Sequence, residues 1–271
     1  MQKTTSMPVA LTIAGSDSGG GAGVQADILS FAANGVYAAS AITCLTAQNP
    51  AGVSGLFPAS PDFVLEQARQ VARFFKLGAI KTGMLLNAEI IGAVAEFVDE
   101  HKEVPFVLDP VMVATSGARL LEESAIEALQ TKLFPKATLI TPNLDEAAIL
   151  LGHRPADEPN AMIVDAQALA RKLGRPLLLK GGHAGTPILQ DVLAVPDGTV
   201  HVFKAPRCED TDTHGSGCTL ASAIAAHLAL GRSLSNAVEA AHAYLQEGMV
   251  APVTVGERHY IAHLVDRVKV S

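Results

Sequence analysis

Short apolar runs broken by glycine or proline alternate along this chain with longer stretches in which apolar residues recur every three or four positions. The runs at 9–13, 38–45, 79–84, 106–111, 138–143 and 177–183 read as buried strands. The stretches at 24–34, 61–75, 87–101, 121–133, 162–173, 220–230 and 233–249 read as helices, and Gly35 stops the first of them. Pro50 is expected to force the second strand out of the sheet. Residues 192–195 and 199–203 flank a Pro196-Asp197-Gly198 turn and read as a hairpin, and 152–160 is a polar, proline-bearing surface loop. Strand and helix taking turns in this way predict an α/β fold with a mostly parallel sheet.

Composition sharpens that picture. At 271 residues and 49% hydrophobic, the chain can bury a large core, and one domain over 1–271 is the default. Trp is absent, aromatics are 4% and there are 23 glycines, so the interior must be built from Ala, Val, Leu and Ile. A net charge of −7 without a basic stripe argues against nucleic acid and against an anionic membrane surface. Cys44, Cys208 and Cys218 form no CxxC pair, which suits free thiols in the cytoplasm. Met1 to Pro8 lacks the layout of a secretion signal and no apolar run reaches transmembrane length, so a soluble, unprocessed chain is expected.

Two glycine-rich turns carry the candidate chemistry. The second, Asp210 to Thr219, leads through Thr213-His214-Gly215-Ser216-Gly217-Cys218 straight into a helix. Free N–H groups and the macrodipole at such an end suit a phosphate or an oxyanion, while Gly215 and Gly217 allow close backbone approach. An ordinary helix start capped by Thr213 or Ser216 has the same outline. The first turn, Gly15 to Gly23, contains Gly21-Ala22-Gly23-Val24-Gln25-Ala26, a loose G-x-G-x-x-A. Residues 40–50 are uncharged, so the acid that a dinucleotide ribose needs is missing, and there is no Walker A pattern.

Other candidates stand at strand ends. Gln48 and Asn49 lie where open α/β sheets bind ligands, although either amide can equally serve loop backbone. Asp109 ends an apolar strand, where burial is costly without a cation or several donors, so a metal role is plausible. Glu146 stands in a first helical turn, where it can compensate a dipole or partner Asp109. Lys180 precedes two glycines and either meets a phosphate or is a solvated strand end. His259 and His263, four apart without a third ligand, are expected to be surface residues rather than a zinc site.

Taken together, these motifs resemble the hydroxymethylpyrimidine/phosphomethylpyrimidine kinases of thiamin biosynthesis, in the ribokinase superfamily. The resemblance is carried in order by Ala14-Gly15-Ser16-Asp17 to Asp27, Thr46-Ala47-Gln48-Asn49, Lys81-Thr82-Gly83-Met84, Leu108-Asp109-Pro110-Val111-Met112, Thr141-Pro142-Asn143 to Glu146, Lys180-Gly181-Gly182-His183, and Asp212 to Thr219. It implies a three-layer α/β/α sandwich and ATP- and Mg²⁺-dependent phosphorylation of the hydroxymethylpyrimidine and then of its monophosphate. Gly215, Ser216, Gly217 and Cys218 are implied as the anion hole and base, with Cys218 where ribokinase relatives carry aspartate. Pyrimidine contacts are implied from Gly15, Asp27, Gln48, Met84 and Val111, nucleotide contacts from Asn143, Lys180 and Thr213, and magnesium near Asp109 and Glu146. The similarity suggests a homodimer.

A cysteine at a helix N-terminus can have a lowered pKa and take a hydroxyl proton late in phosphoryl transfer. The rival on the same fold is a pyridoxal (vitamin B6) kinase. A non-catalytic phosphate-binding or redox-sensing protein built on Cys218 would require degraded metal and ATP motifs, and they are intact. The tail, Val255-Gly256-Glu257-Arg258-His259-Tyr260-Ile261, departs from the glycine-rich ending of the family.

Overall fold

The computed structural model describes residues 6–112, 121–155, 158–182 and 186–264. The first half runs β1 (Val9–Ser16), α1 (Gly23–Ala33), β2 (Tyr37–Asn49), β3 (Gly52–Pro58), α2 (Pro61–Phe74), β4 (Leu77–Thr82), α3 (Ala88–Glu100), β5 (Phe106–Leu108), α4 (Glu123–Ala128) and β6 (Leu139–Ile140). The second runs α5 (Leu144–Leu151), α6 (Pro159–Leu173), β7 (Leu177–Leu179), β8 (Ile188–Ala194), β9 (Val200–Pro206), α7 (Ser216–Ala229), α8 (Leu234–Val250), β10 (Val253–Val255) and β11 (Arg258–Tyr260).

The large sheet has the order β3-β2-β1-β4-β5-β6-β7-β8-β9. From β2 to β7 the neighbours are parallel, and β3, β8 and β9 are antiparallel additions at the edges. Side chains alternate between two cores. Leu11, Ile13, Ile80, Phe106, Leu108, Ile140, Leu177 and Leu179 face α2 to α6. Ala10, Ala79, Val107, Leu139 and Leu178 face the helices α1, α7 and α8. Both faces are covered, which is why these strands read as unbroken apolar runs and why the expected three-layer sandwich is the observed one. α7 buries Ala221, Ala223, Ala225 and Ala226 fully among the sheet, α1 and α8, and its small residues let it approach β4 closely enough that Gly78 meets Ala229.

Local chemistry sets the helix ends. Ser60 caps α2 with Pro61 behind it, Asn87 caps α3 and Ser233 caps α8. Gly152 and Gly174 close α5 and α6 in the left-handed region.

Several boundaries differ from the sequence expectation. β2 does not end at Leu45: it continues to Asn49, turns at Pro50-Ala51 and pairs back with β3, so Pro50 stands in a hairpin turn. The expected helix 121–133 is a short α4 followed by a π turn at Leu129–Leu133 and a 3₁₀ turn at Phe134–Lys136, where Pro135 cannot continue an α-helix. The departing tail forms the β10–β11 hairpin, whose Gly256 has φ +62. It straps the second glycine turn, since the Asp212 N–H donates to the His259 carbonyl.

Candidate active site

The ends of β1, β2, β4, β5, β6 and β7 converge on the N-terminus of α7, the edge where open α/β sheets hold ligands. Gly215 is the N-cap residue of α7 with φ +81, and a Cβ there would stand 1.9 Å from the Gly21 carbonyl oxygen. Only glycine fits, because the two glycine turns touch at that point. The Ser216 N–H donates to the Thr213 carbonyl and the Thr219 N–H to that of Gly215. Among the described residues the N–H groups of Gly217 and Cys218 have no backbone partner, as an anion-binding helix start requires.

Beside that helix start lies a charged cluster. Lys180 Nζ lies 2.9 Å from Asp109 Oδ1, which also accepts from Thr141 Oγ1 at 3.1 Å. A Cβ on Gly217 would come within 3.2 Å of Lys180 Nζ and 3.7 Å of Asp109 Oδ2, so the turn lies directly against this pair. Lys180 is therefore no solvated strand end. Burial draws its ammonium down, and the charges of Asp109 and Glu146 overcome that and raise its pKa.

Glu146 is buried and forms a capping box with Asn143: each N–H donates to the other's side chain at 2.8 Å. The Met112 N–H reaches Glu146 Oε1 at 3.4 Å, and Val111 is half-buried in the turn between. Burial raises the Glu146 carboxyl to about 7; Lys180 opposes the rise and the charge of Asp109 adds to it. Two buried, electrostatically coupled carboxylates that offer only oxygen fit a hard divalent cation, which takes one or two carboxylates and completes its shell with water and phosphate oxygens. Among the described residues no group of three or more His, Cys, Asp or Glu is placed to hold a metal. Asn143 spends Oδ1 on its cap, and Thr213 is exposed beside the turn.

On the other side lies the first glycine turn. A Cβ on Gly15 would stand 2.7 Å from Met84 Cε and 2.9 Å from Cys44 Sγ, so the bare backbone makes room for the Met84 side chain. Gln48 is half-buried at the end of β2 beside His214. Asp27 departs from the expectation of a pyrimidine contact. It is fully buried, and its carboxylate accepts from Lys81 Nζ at 2.7 Å, Ser222 Oγ at 2.7 Å and Thr12 Oγ1 at 2.6 Å. Ser222 stands one helical turn after Cys218, so Asp27 and Lys81 lie beneath the site rather than in it.

Cys218 departs from the expectation of a lowered pKa. Burial pushes its thiol up to about 11; Lys81 and the Gly23 N–H pull the other way, while the charges of Asp27 and Asp109 add to the rise. His263 is not a surface residue either. It is half-buried with Nε2 3.0 Å from Thr219 Oγ1, whereas His259 is exposed. His183, quoted with the Lys180 motif, lies outside the described residues.

Sequence reasoning missed Asp17 and His214 as a pair. His214 Nε2 lies 2.9 Å from Asp17 Oδ2, and Asp17 also accepts from the N–H groups of Gly19 and Ala22. A cleft of about 560 Å³ lined by Glu96, Asp99, Lys132 and Lys136 lies along α3, away from the strand ends. Lys136 and Asp99 pair there with each other.

Residues 17–263 match the family profile described as phosphomethylpyrimidine kinase. The hydroxymethylpyrimidine/phosphomethylpyrimidine kinase of Streptomyces coelicolor is 45% identical over 252 residues, 92% of this chain and 91% of the relative. The solved phosphomethylpyrimidine kinase of Clostridium difficile 630 superposes with a TM-score of 0.78 and 36% identity, covering 89% of this chain and 99% of that one. The ADP complex of Bacillus subtilis pyridoxal kinase gives a TM-score of 0.88 at 33% identity, over 97% of this chain and all of that one.

Proposed function

Because the chain belongs to the phosphomethylpyrimidine kinase family, we infer that it transfers a phosphoryl group from ATP to 4-amino-5-hydroxymethyl-2-methylpyrimidine, and then one to the monophosphate, in thiamin biosynthesis. One observation in the fold carries the reading beyond the likeness: among the described residues the N–H groups of Gly217 and Cys218 have no backbone partner, at a helix N-terminus whose Gly217 lies against Lys180 and Asp109. A loose phosphoryl transition state asks the protein for positioning and charge more than for covalent chemistry, and this turn supplies both.

In this reading the turn Gly215 to Cys218 receives the transferring phosphoryl group on backbone N–H groups, with Ser216 and Gly217 setting its curvature. Lys180, Asn143 and Thr213 hold the nucleotide phosphates. Asp109 and Glu146 hold Mg²⁺, which when bound supplies neutralisation of the phosphate oxygens. Gly15, Gln48, Met84 and Val111 orient the pyrimidine so that its hydroxymethyl oxygen faces the turn. Asp27 acts from below, holding Lys81 under Cys218. Cys218 takes the hydroxyl proton late, and at a pKa of about 11 only a small fraction of it is thiolate near neutral pH, so its share as base grows with pH. One kinase domain carries all of these groups.

A homodimer and a cytoplasmic setting complete the proposal. The β2–β3 hairpin exposes Leu45, Val53, Leu56 and Phe57 together with Phe63 of α2, apolar area that a second copy would cover. The three cysteines are free. Sedimentation of the protein and of Phe57→Glu tests the dimer, with a monomer expected for the variant. For the reaction, products of incubation with ATP and hydroxymethylpyrimidine, its monophosphate or pyridoxal are separated in parallel. Mono- and diphosphate of the pyrimidine are expected. Transfer only to pyridoxal, the activity named for the Bacillus structure, would overturn the reading.

A further inference from the structure

His214 is not among the residues that the resemblance assigns, yet its ring joins three parts of the site. Its backbone N–H donates to Asp212 Oδ1 at 2.9 Å and fixes the start of the anion turn. Its Nε2 crosses to Asp17 Oδ2 at 2.9 Å, and that carboxylate is nearly buried and organises the first glycine turn through Gly19 and Ala22. The ring also needs Gly21 bare, since a Cβ there would stand 2.9 Å from His214 Cδ2. The same Nε2 lies 3.3 Å from the amide nitrogen of Gln48.

These distances decide the hydrogen-bond pattern. A carboxylate only accepts, so an imidazole nitrogen 2.9 Å from it carries a hydrogen and donates. That nitrogen then has no lone pair for the Gln48 NH₂ group. With its ends exchanged in the same space, the amide turns its carbonyl toward His214, where the one Nε2–H is shared between Asp17 Oδ2 and that carbonyl, and turns its NH₂ toward the pocket. We propose that His214, locked by Asp17, is a positioning residue that fixes which end of the Gln48 amide faces the substrate, and so selects a ring carrying an acceptor nitrogen on that edge. The proposal rests on the reading that Gln48 meets the pyrimidine.

The test is a double-mutant cycle of Gln48→Ala and His214→Leu, with His214→Gln as the variant that keeps a donor toward Asp17. KM for the hydroxymethylpyrimidine, KM for ATP and kcat are measured for each. Gln48→Ala and His214→Leu are each expected to raise the pyrimidine KM about tenfold, with ATP KM unchanged. Together they should raise it no further than one alone, and His214→Gln should restore most of the loss. Independent, multiplying effects of the two changes would overturn the proposal. So would a fall in kcat with a rise in ATP KM for His214→Leu, the pattern of a residue that only holds the turn. If Gln48→Ala alone leaves the pyrimidine KM unchanged, the underlying Gln48 reading fails and the proposal with it.

Discussion

Replacing Lys81 by methionine removes one half of an ion pair in which both side chains are fully buried. Burial works against the Lys81 ammonium, but the negative charge of Asp27 at 2.7 Å, with further contributions from Cys218 and Asp109, outweighs it and leaves the pKa raised. Removing one partner of a buried pair typically costs about 3–5 kcal/mol, because the other charge is stranded. Here Thr12 and Ser222 still donate to Asp27, which places the expected loss near the lower end, about 3 kcal/mol. Against a usual total of roughly 5–15 kcal/mol, the variant should still fold. Lys81→Met/Asp27→Asn leaves no stranded charge, keeps an acceptor for one hydroxyl and offers its NH₂ to the oxygen of the other, so it should recover at least about 1 kcal/mol over the single variant.

Guanidinium unfolding of the three proteins measures this. The sign with pH is fixed: a raised lysine pKa stabilises the fold fully below the unfolded value, near 10.4, and the contribution is lost as pH rises through the folded value. The gap between wild type and Lys81→Met should therefore hold through neutral pH and shrink only in strong alkali. A single variant within about 1 kcal/mol of wild type, or a double variant no more stable than the single, would refute the reasoning.

Cys218→Ala should lower kcat by about 10²–10⁴-fold with ATP affinity kept, and the wild-type rate should climb with pH toward 11 because thiolate grows about tenfold per pH unit below the pKa; a wild-type rate flat between about pH 7 and 9 would remove Cys218 as base. Gly215→Ala should unfold the turn or displace it, since the new Cβ meets the Gly21 carbonyl at a left-handed φ, and a soluble variant with wild-type kcat would contradict the contact. Glu146 must be ionised to bind a cation, so the Mg²⁺ concentration for half-maximal rate should rise as pH falls through about 7, and a constant value from about pH 6 to 8 would argue against its role.

The layers of the fold were legible because the parallel strands are buried on both faces and stand out as apolar runs. β3 was not, since six of its seven residues are exposed, two are glycine, and no alternation marks it. The π turn after α4 was equally hidden, because nothing apolar distinguishes 129–133 from a helix that stops at Pro135. At the site, glycine spacing pointed to the anion turn, and strand-end position pointed to Asp109, Gln48 and Lys180. Pairings were another matter. Asp17 and His214 meet across 197 residues, and Asp27 finds Lys81 because α1 packs on β1 and β1 pairs with β4, so neither contact leaves a local trace. The raised Cys218 pKa was hidden for a related reason: the helix N-terminus is visible in sequence, whereas the burial that pushes the thiol up is not.

The claim that phosphoryl transfer occurs at the start of α7 is tested most directly by a crystal structure with ADP, magnesium, the hydroxymethylpyrimidine and aluminium fluoride as a mimic of the transferring group. The account predicts that the fluoride accepts hydrogen bonds from the Gly217 and Cys218 N–H groups, between the nucleotide and the hydroxymethyl oxygen, with Lys180 beside it. A fluoride bound instead over the first glycine turn, Gly19 to Gly23, with the Gly217 and Cys218 N–H groups facing only water, would contradict it.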